Sequence, residues 1–470
     1  MKRKFNLFTT AFSLLAFIVL GSMCTNAKKS KKEAEQYSAV SPVTPIELEA
    51  FKNHRDSIPS KQEYNGNLFQ LSHNYPTEVK PVVNPSWQQA LQGQPISDKN
   101  ALIYMDSLKS YVAANLAPFF TDNKNWNAAD HDWYHQPWLG NEREAILGTY
   151  LGNGNPANMF ESLKVDESGY VLVLYDETAA YTVGQIWGKT GAKVNLVNDA
   201  AQFKEGSVIV KLAFSNINAP EWPVMEGAQI FNVYDTIPTK ENPKKGYQVR
   251  NVSFFQMDIV VKDSKTAPKT GWVYSTFVYD QDQKGSNWDK LVPLGAMWGN
   301  DPDVKSPIKP PYPKLNETVI NANAPKYSKE TLGWGGRLSG PNDGAVAQVA
   351  YDINTKQEYE NLPLSSCMSC HSPAQYKFNS FLLPAPFPTS DSLIVYTPGS
   401  TEWMRWFRDD YGNVPFDAGQ IATDYDMVTA FKAIPAYEKA MKPKMNNMML
   451  SRIKTIKKYR TKGNNSLFWH

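Results

Sequence analysis

The chain has 470 residues, of which 42% are hydrophobic, 13% aromatic and 20% charged. This length and this apolar share exclude an intrinsically disordered chain and allow one large domain or two to three smaller ones. The 49 basic and 46 acidic residues give a formal net charge of +3, a near-balance that argues against a nucleic-acid partner.

Residues 1–27 have the layout of a secretory signal peptide, with three basic residues before the mostly apolar run Phe5–Leu20. This run is shorter than the ~20 residues of a membrane span. Its end fits two patterns. Cys24 follows small residues as in a bacterial lipoprotein signal, although Met23 departs from that pattern, whereas cleavage after Ala27 would be ordinary processing. We therefore expect an exported protein of the periplasm or cell envelope, soluble or lipid-anchored at Cys24.

The next two segments differ in periodicity. Residues 28–95 are polar and rich in Pro, Asn and Ser, which predicts an extended lead-in or spacer. Residues 96–164 form a helical segment, because apolar side chains recur at helical spacing from Leu102 to Leu116. Ser97 is the predicted N-cap of this helix and Pro118 its predicted end.

Residues 165–365 are predicted as a β-rich domain. Four runs have strand character: Tyr170–Tyr175, Ser207–Phe214, Phe255–Val261 and Trp272–Tyr279. Their alternation predicts antiparallel strands with one buried face, and Lys262–Gly271 would be the loop of a hairpin. Residues 281–365 hold many Pro, Gly and Asn, so much of this stretch is predicted as irregular loop.

The segment 366–470 contains the motif that predicts a cofactor. Beyond the signal region only two cysteines remain, in the run Cys367-Met-Ser-Cys370-His371, which is the attachment pattern for haem c. Two thiols at this spacing reach two vinyl groups of one porphyrin, and the adjacent imidazole lies beneath the iron. The sequence therefore predicts one covalently attached haem c, with His371 as an axial iron ligand.

A Cys-x-x-Cys pair has two other common uses. A thiol–disulfide centre normally belongs to a thioredoxin-like fold, and no βαβ pattern surrounds Cys367 and Cys370. A structural zinc site needs four protein ligands, and the chain has no second cysteine pair.

The sequence does not determine the sixth iron ligand. Met427 and Met404 lie downstream of the haem motif at suitable separations, and His135 lies in a cluster of aromatic and histidine residues. Each of these three residues is also consistent with an ordinary buried side chain that has no role as a ligand. An empty sixth position is the third option and would permit small-ligand chemistry.

Three helices are expected after the haem motif. Ser400 can cap a helix through Phe407, and Asp424–Ala433 has helical character up to Pro435. Lys444–Arg460 predicts a basic helix, interpreted as a solvated surface or as a docking face for an acidic redox partner or for anionic lipid. The predicted fold class is α+β, with a central antiparallel sheet, an N-terminal helix and a C-terminal, partly helical haem segment.

The region from about residue 165 to 375 resembles the β-sheet cytochromes, namely cytochrome c′-beta and its hydroxylamine-oxidising relatives. Gly206–Lys211 is similar to a Gly-Thr-Val-x-x-Lys strand of that family, and Val261–Asp263, Gly271-Trp272 and the haem motif follow in the family's order. The resemblance implies a five-coordinate haem that binds nitric oxide or oxidises hydroxylamine. Two features depart from it: about 90 residues precede Cys367 after the last matched strand, and a long segment follows the motif.

The whole chain also resembles exported bacterial cytochromes with segments like Val292–Pro302 and Arg337–Pro341. The function predicted first is electron transfer in the cell envelope, with a redox partner protein. The alternatives are a haem enzyme or gas-binding protein with an open distal site, and a tethered binding module with a structural haem. No motif identifies a substrate.

Overall fold

The computed structural model describes residues 44–236, 246–306, 309–386 and 393–441. The chain divides into two compact units, residues 1–48 and 49–470, and the sheet and cavity described below belong to the second. The expected signal peptide, with Cys24, and the expected basic helix Lys444–Arg460 lie outside the described residues.

The described residues form an α+β fold, as predicted. The α-helices are α1 Pro45–Ala50, α2 Ser86–Ala90, α3 Ala101–Thr121, α4 Glu177–Trp187, α5 Cys367–His371, α6 Thr401–Met404 and α7 Ile434–Met441. The strands are β1 Tyr150–Leu151, β2 Gly169–Tyr175, β3 Val208–Ser215, β4 Ile230–Asp235, β5 Gln248–Lys262, β6 Trp272–Tyr279, β7 Leu291–Met297, β8 Thr318–Ile320, β9 Val346–Asp352, β10 Glu358–Pro363, β11 Gln375–Tyr376, β12 Leu393–Val395 and β13 Ile421–Ala422.

An eight-stranded antiparallel sheet organises the molecule, in the order β1-β2-β3-β5-β6-β7-β8, with β4 pairing along the first half of β5. The four predicted strands are β2, β3, the second half of β5, and β6. The predicted hairpin joins β5 to β6, and the Asp263 N–H donates to the Gly271 carbonyl across its loop at 2.9 Å.

The prediction that one face of the sheet is buried was wrong, because both faces are covered. Every residue of β2 and of β6 is buried. Helix α3 packs on one face through residues such as Leu108 and Val112. The other face packs against α4 and against the C-terminal segment, including Cys367 and Met368. Alternating side chains therefore meet protein on both sides.

Helix α3 begins and ends later than predicted. Its N-cap is Asn100 rather than Ser97, and the helix continues through Pro118 to Thr121. Pro118 has no N–H to donate to the Ala114 carbonyl, so its place in the last turn costs one backbone hydrogen bond. The extra turn buries Phe119 and Phe120, whose rings contact Phe231 and other aromatic side chains of the sheet.

Much of residues 281–365 is irregular, as expected, but four strands interrupt it. β7 and β8 extend the main sheet, and β9 and β10 form a separate three-stranded sheet with β12. Pro293 lies inside β7, opposite Phe277, where the β6–β7 register shifts. A proline is tolerated at such an irregularity because the ladder is already interrupted there.

The C-terminal helices match the predictions in part. The Ser400 hydroxyl accepts from the Trp403 N–H at 3.2 Å and caps α6, and a 3₁₀ turn continues to Phe407. Helical structure starts at Val428, as a π-helical stretch that leads into α7, not at Asp424. Asp424 has a φ of 51°, which is incompatible with a right-handed helix. No helix within the described ranges is long and apolar enough to cross a membrane.

Candidate functional site

A cavity of about 650 Å³ lies against the sheet face opposite α3. Side chains at paired positions on four strands form one wall, in two rows. The first row is Val173, Lys211, Asp258 and Thr276, and the second is Tyr175, Ile209, Val260 and Tyr274. The remaining lining comes from Trp272, Ser275, Asp343, from Cys367 and His371 of α5, and from residues 424–426 and 428.

Helix α5 places Cys367 and His371 on the cavity together. The helix is started by a capping box, in which the Ser366 hydroxyl accepts from the Ser369 N–H at 3.1 Å and the Ser369 hydroxyl accepts from the Ser366 N–H at 2.7 Å. Residues four apart lie on one face of a helix, so the first and last residues of the motif both line the cavity. Cys370 packs instead in the adjoining hydrophobic cluster that contains Trp334.

The His371 ring is oriented by the backbone. Its Nδ1 lies 2.8 Å from the Tyr425 carbonyl oxygen, which can only accept, so Nδ1 carries the proton and the lone pair is on Nε2. The Tyr274 ring meets the imidazole edge-on at 5.2 Å between centroids. Burial lowers the pKa of His371 to about 4, so the ring is neutral at pH 7. A neutral imidazole held by a carbonyl is the form that ligates metals.

Both cysteines are buried free thiols. Burial, and secondarily the nearby Asp343 carboxylate, raises the pKa of Cys367 well above its usual range, and burial raises that of Cys370 to about 12. A reactive thiol–disulfide centre needs a lowered thiol pKa. These surroundings therefore suit thiols that are not redox-active themselves. Within the described ranges, no three His, Cys, Asp or Glu side chains converge as a metal-binding group.

Lys211 and several carboxylates line the cavity, and a second buried lysine, Lys262, pairs with one of these carboxylates. The sequence alone did not single them out as site residues. The Lys211 ammonium lies 2.9 Å from Asp258 and 2.7 Å from Asp343. The Lys262 ammonium donates to both oxygens of Asp424, at 2.7 and 2.9 Å. The available signal was the position of Lys211 and Asp258 within otherwise apolar strands, which is unusual unless the charges are paired.

The three candidate sixth ligands lie elsewhere. Met427 is 1% exposed and packs in the same cluster as Cys370, and Met404 is half-buried against that cluster. His135 is buried, and its Nδ1 accepts from the Ser72 N–H at 3.0 Å. None of the three is among the residues that line the cavity. The structure thus brings Cys367 and His371 together and leaves these three side chains apart from them.

The chain matches no protein-family model, no curated protein and no solved structure.

Proposed function

We propose that the chain is an exported monohaem c-type cytochrome that transfers electrons in the cell envelope. One haem c is attached through Cys367 and Cys370, and His371 is an axial iron ligand. The single observation that carries the proposal is that the first and last residues of the Cys-x-x-Cys-His run line one cavity of about 650 Å³. Iron in such a site cycles between the ferrous and ferric states, which supplies the redox chemistry.

The residues present fit this group in two respects. The cavity walls include the aromatic rings of Tyr175, Trp272 and Tyr274, which suit a flat apolar ligand. Because Nδ1 of His371 carries the proton, Nε2 has a free lone pair and is the atom that can ligate the iron. Attachment of Cys370 requires its side chain to turn towards the cavity, out of the cluster around Trp334.

The test is the mass and the absorption spectrum of full-length protein matured with the cytochrome c assembly machinery. We expect haem that stays bound after denaturation. The double variant Cys367→Ser/Cys370→Ser should lose it, whereas Cys24→Ser, which changes the third cysteine of the chain, should retain it. Absence of covalent haem from the parent protein would overturn the proposal.

A second role, ligand binding or catalysis at an open iron, is favoured by one observation. Among the described residues that line the cavity, His371 is the one histidine and there is no methionine. The same spectrum separates the two roles. Sharp low-spin bands, abolished by Met427→Leu or Met404→Leu, would support a six-coordinate electron carrier. Broad high-spin bands that shift on addition of nitric oxide or hydroxylamine would support the open iron.

A further inference from the structure

A second, smaller cavity adjoins the first and has an empty volume of about 210 Å³. We call it the inner chamber. It shares Val173, Tyr175 and Val428 with the larger cavity, so these side chains separate the two spaces. Its other lining residues are Gln136, Leu139, Gly148 and Leu172, together with Arg143 and Tyr150.

Arg143 is a buried cation with an unused donor. It is 2% exposed, its Nη2 donates to the Gln136 carbonyl, and its Nη1 has no hydrogen-bond acceptor among the described residues. The guanidinium lies over the Phe69 ring at 5.7 Å, and none of the ion pairs in the described ranges includes it. Burial lowers the pKa of Arg143 to about 10, which still leaves it charged at neutral pH. The Glu142 carboxylate favours this charge electrostatically but forms no ion pair with it among the described residues, and a buried charge without a counter-ion in contact is costly.

The neighbouring groups reinforce the need for a negative partner. The Tyr150 hydroxyl is buried and likewise has no acceptor or donor among the described residues. The Lys432 ammonium lies 4.4 Å from the Tyr150 ring centroid and pairs with Glu142, whose side chain is 42% exposed. The Gln136 amide is already engaged by the Trp187 indole, Asp426 and Thr429.

We propose that the inner chamber binds a small monovalent inorganic anion of halide size, held by the Arg143 guanidinium and the Tyr150 hydroxyl. Both groups are donors towards an anion, and hydrogen bonds from a charged donor are the stronger kind. The small volume and the apolar side chains of Leu139 and Val173 favour a monatomic, weakly hydrated ion over a larger oxyanion. This site does not depend on the haem.

The anion would lie beside the larger cavity. Tyr175 lines both spaces, and its hydroxyl donates to Asp426 at 3.1 Å, which lines the larger one. Tyr175 is therefore a wall common to the inner chamber and the larger cavity.

Sodium bromide is the probe, because bromide scatters anomalously. Crystals of the full chain soaked in bromide should show an anomalous peak between Arg143 and Tyr150. In solution, bromide should raise the thermal unfolding midpoint more than sodium gluconate at equal ionic strength, since an anion that binds the folded state stabilises it. Water alone in the chamber, with no anomalous signal and equal effects of the two salts, would overturn the proposal.

Conservative variants distinguish a loss of bromide binding from a folding defect. Tyr150→Phe removes only a hydroxyl and should weaken bromide binding about tenfold. Tyr170→Phe removes a similarly buried phenol hydroxyl on the opposite face of the sheet and should leave bromide binding unchanged. Arg143→Gln should abolish the bromide effect where the variant folds. Equal bromide affinity of the two tyrosine variants would contradict the assignment.

Discussion

Asp424 joins three parts of the chain at one buried carboxylate. It accepts from the Lys262 ammonium, from the Trp272 indole at 2.7 Å and from the Phe203 N–H at 2.8 Å. The side chain is fully buried, and Asp is among the residues that tolerate its left-handed φ of 51°. This one residue therefore connects the ends of β5 and β6 to the segment that borders the cavity.

The substitution Asp424→Asn should be strongly destabilising. Asparagine keeps the shape and the backbone preference but leaves the Lys262 charge buried without its counter-ion, which typically costs about 3–5 kcal/mol. Urea unfolding would measure the change in the free energy of unfolding. The matched control is Asp98→Asn, which breaks the exposed pair with Lys314 and should cost less than about 1 kcal/mol. Similar losses in both variants would contradict this interpretation.

Asp176 makes folding stability depend on pH. It is the N-cap of α4 and accepts from the Ala179 N–H at 2.8 Å and the Val208 N–H at 3.1 Å. Burial raises its pKa from 3.8 to about 7. Because the folded state holds this proton more tightly, the stabilisation is fully present below about pH 4 and is lost as the pH rises through 7.

The variant Asp176→Asn should remove this pH dependence. Asparagine is a good N-cap and can still accept both hydrogen bonds, but it does not titrate. The free energy of unfolding of parent and variant should be measured from pH 4 to 9. The slopes of the two curves against pH should differ by up to one proton between pH 4 and 7 and should become equal above about pH 8. Parallel curves over the whole range would show that Asp176 ionises normally in the folded protein.

At the scale of elements, local sequence patterns located α3 and the central strands well. In α3 the buried side chains recur at helical spacing, and in β3 and β5 apolar side chains recur at alternate positions. This regular repeat of apolar residues is visible in the sequence itself. β7 was not predicted, because Pro293 and the surrounding glycines resemble loop sequence. Its place as a strand depends on pairing with β6 and β8, which no local pattern reports.

The packing of α3 can be tested on two faces of the same helix. Leu108 is fully buried against the sheet, so Leu108→Ala should cost about 2–5 kcal/mol of unfolding free energy. Ile103 is 55% exposed, so Ile103→Ala should change stability by about 0.5 kcal/mol or less. Denaturant titration compares the two. Because α3 lies on the face away from the cavity, neither variant should alter the absorption of bound haem; an altered spectrum would contradict this placement.

At the scale of the molecule, the sheet and the C-terminal segment share one hydrophobic core. Trp272 and Tyr274 of β6 belong to the same buried cluster as Cys367, Tyr425 and Ile434. A buried ion pair also crosses between them, at Lys262 with Asp424. Neither part buries its apolar surface without the other.

Unfolding of residues 49–470 should therefore be a single cooperative transition. Far-ultraviolet circular dichroism reports the sheet, and tryptophan fluorescence reports both Trp272 in the sheet and Trp403 in the C-terminal segment. In urea the two signals should change with the same midpoint. A C-terminal transition that precedes loss of the sheet would show that the two parts fold separately.

The sequence by itself determined the α+β class, the four central strands and the pairing of Cys367 with His371, because each depends on residues that are near one another in the chain. The haem prediction and the candidate ligands Met404, Met427 and His135 stay predictions. Sequence separation cannot say which side chain reaches a given point in space. The spacing of a motif predicts which side chains share a site only where local structure, such as the short helix α5, fixes their relative positions.

Tertiary structure alone decided the burial of the second sheet face, the cavity beside His371 and the inner chamber at Arg143. The Lys262–Asp424 pair joins residues 162 positions apart, and the Lys211–Asp343 pair joins residues 132 apart. Such contacts leave no periodic trace in one sequence, because their energy depends on burial, and burial is a property of the assembled fold.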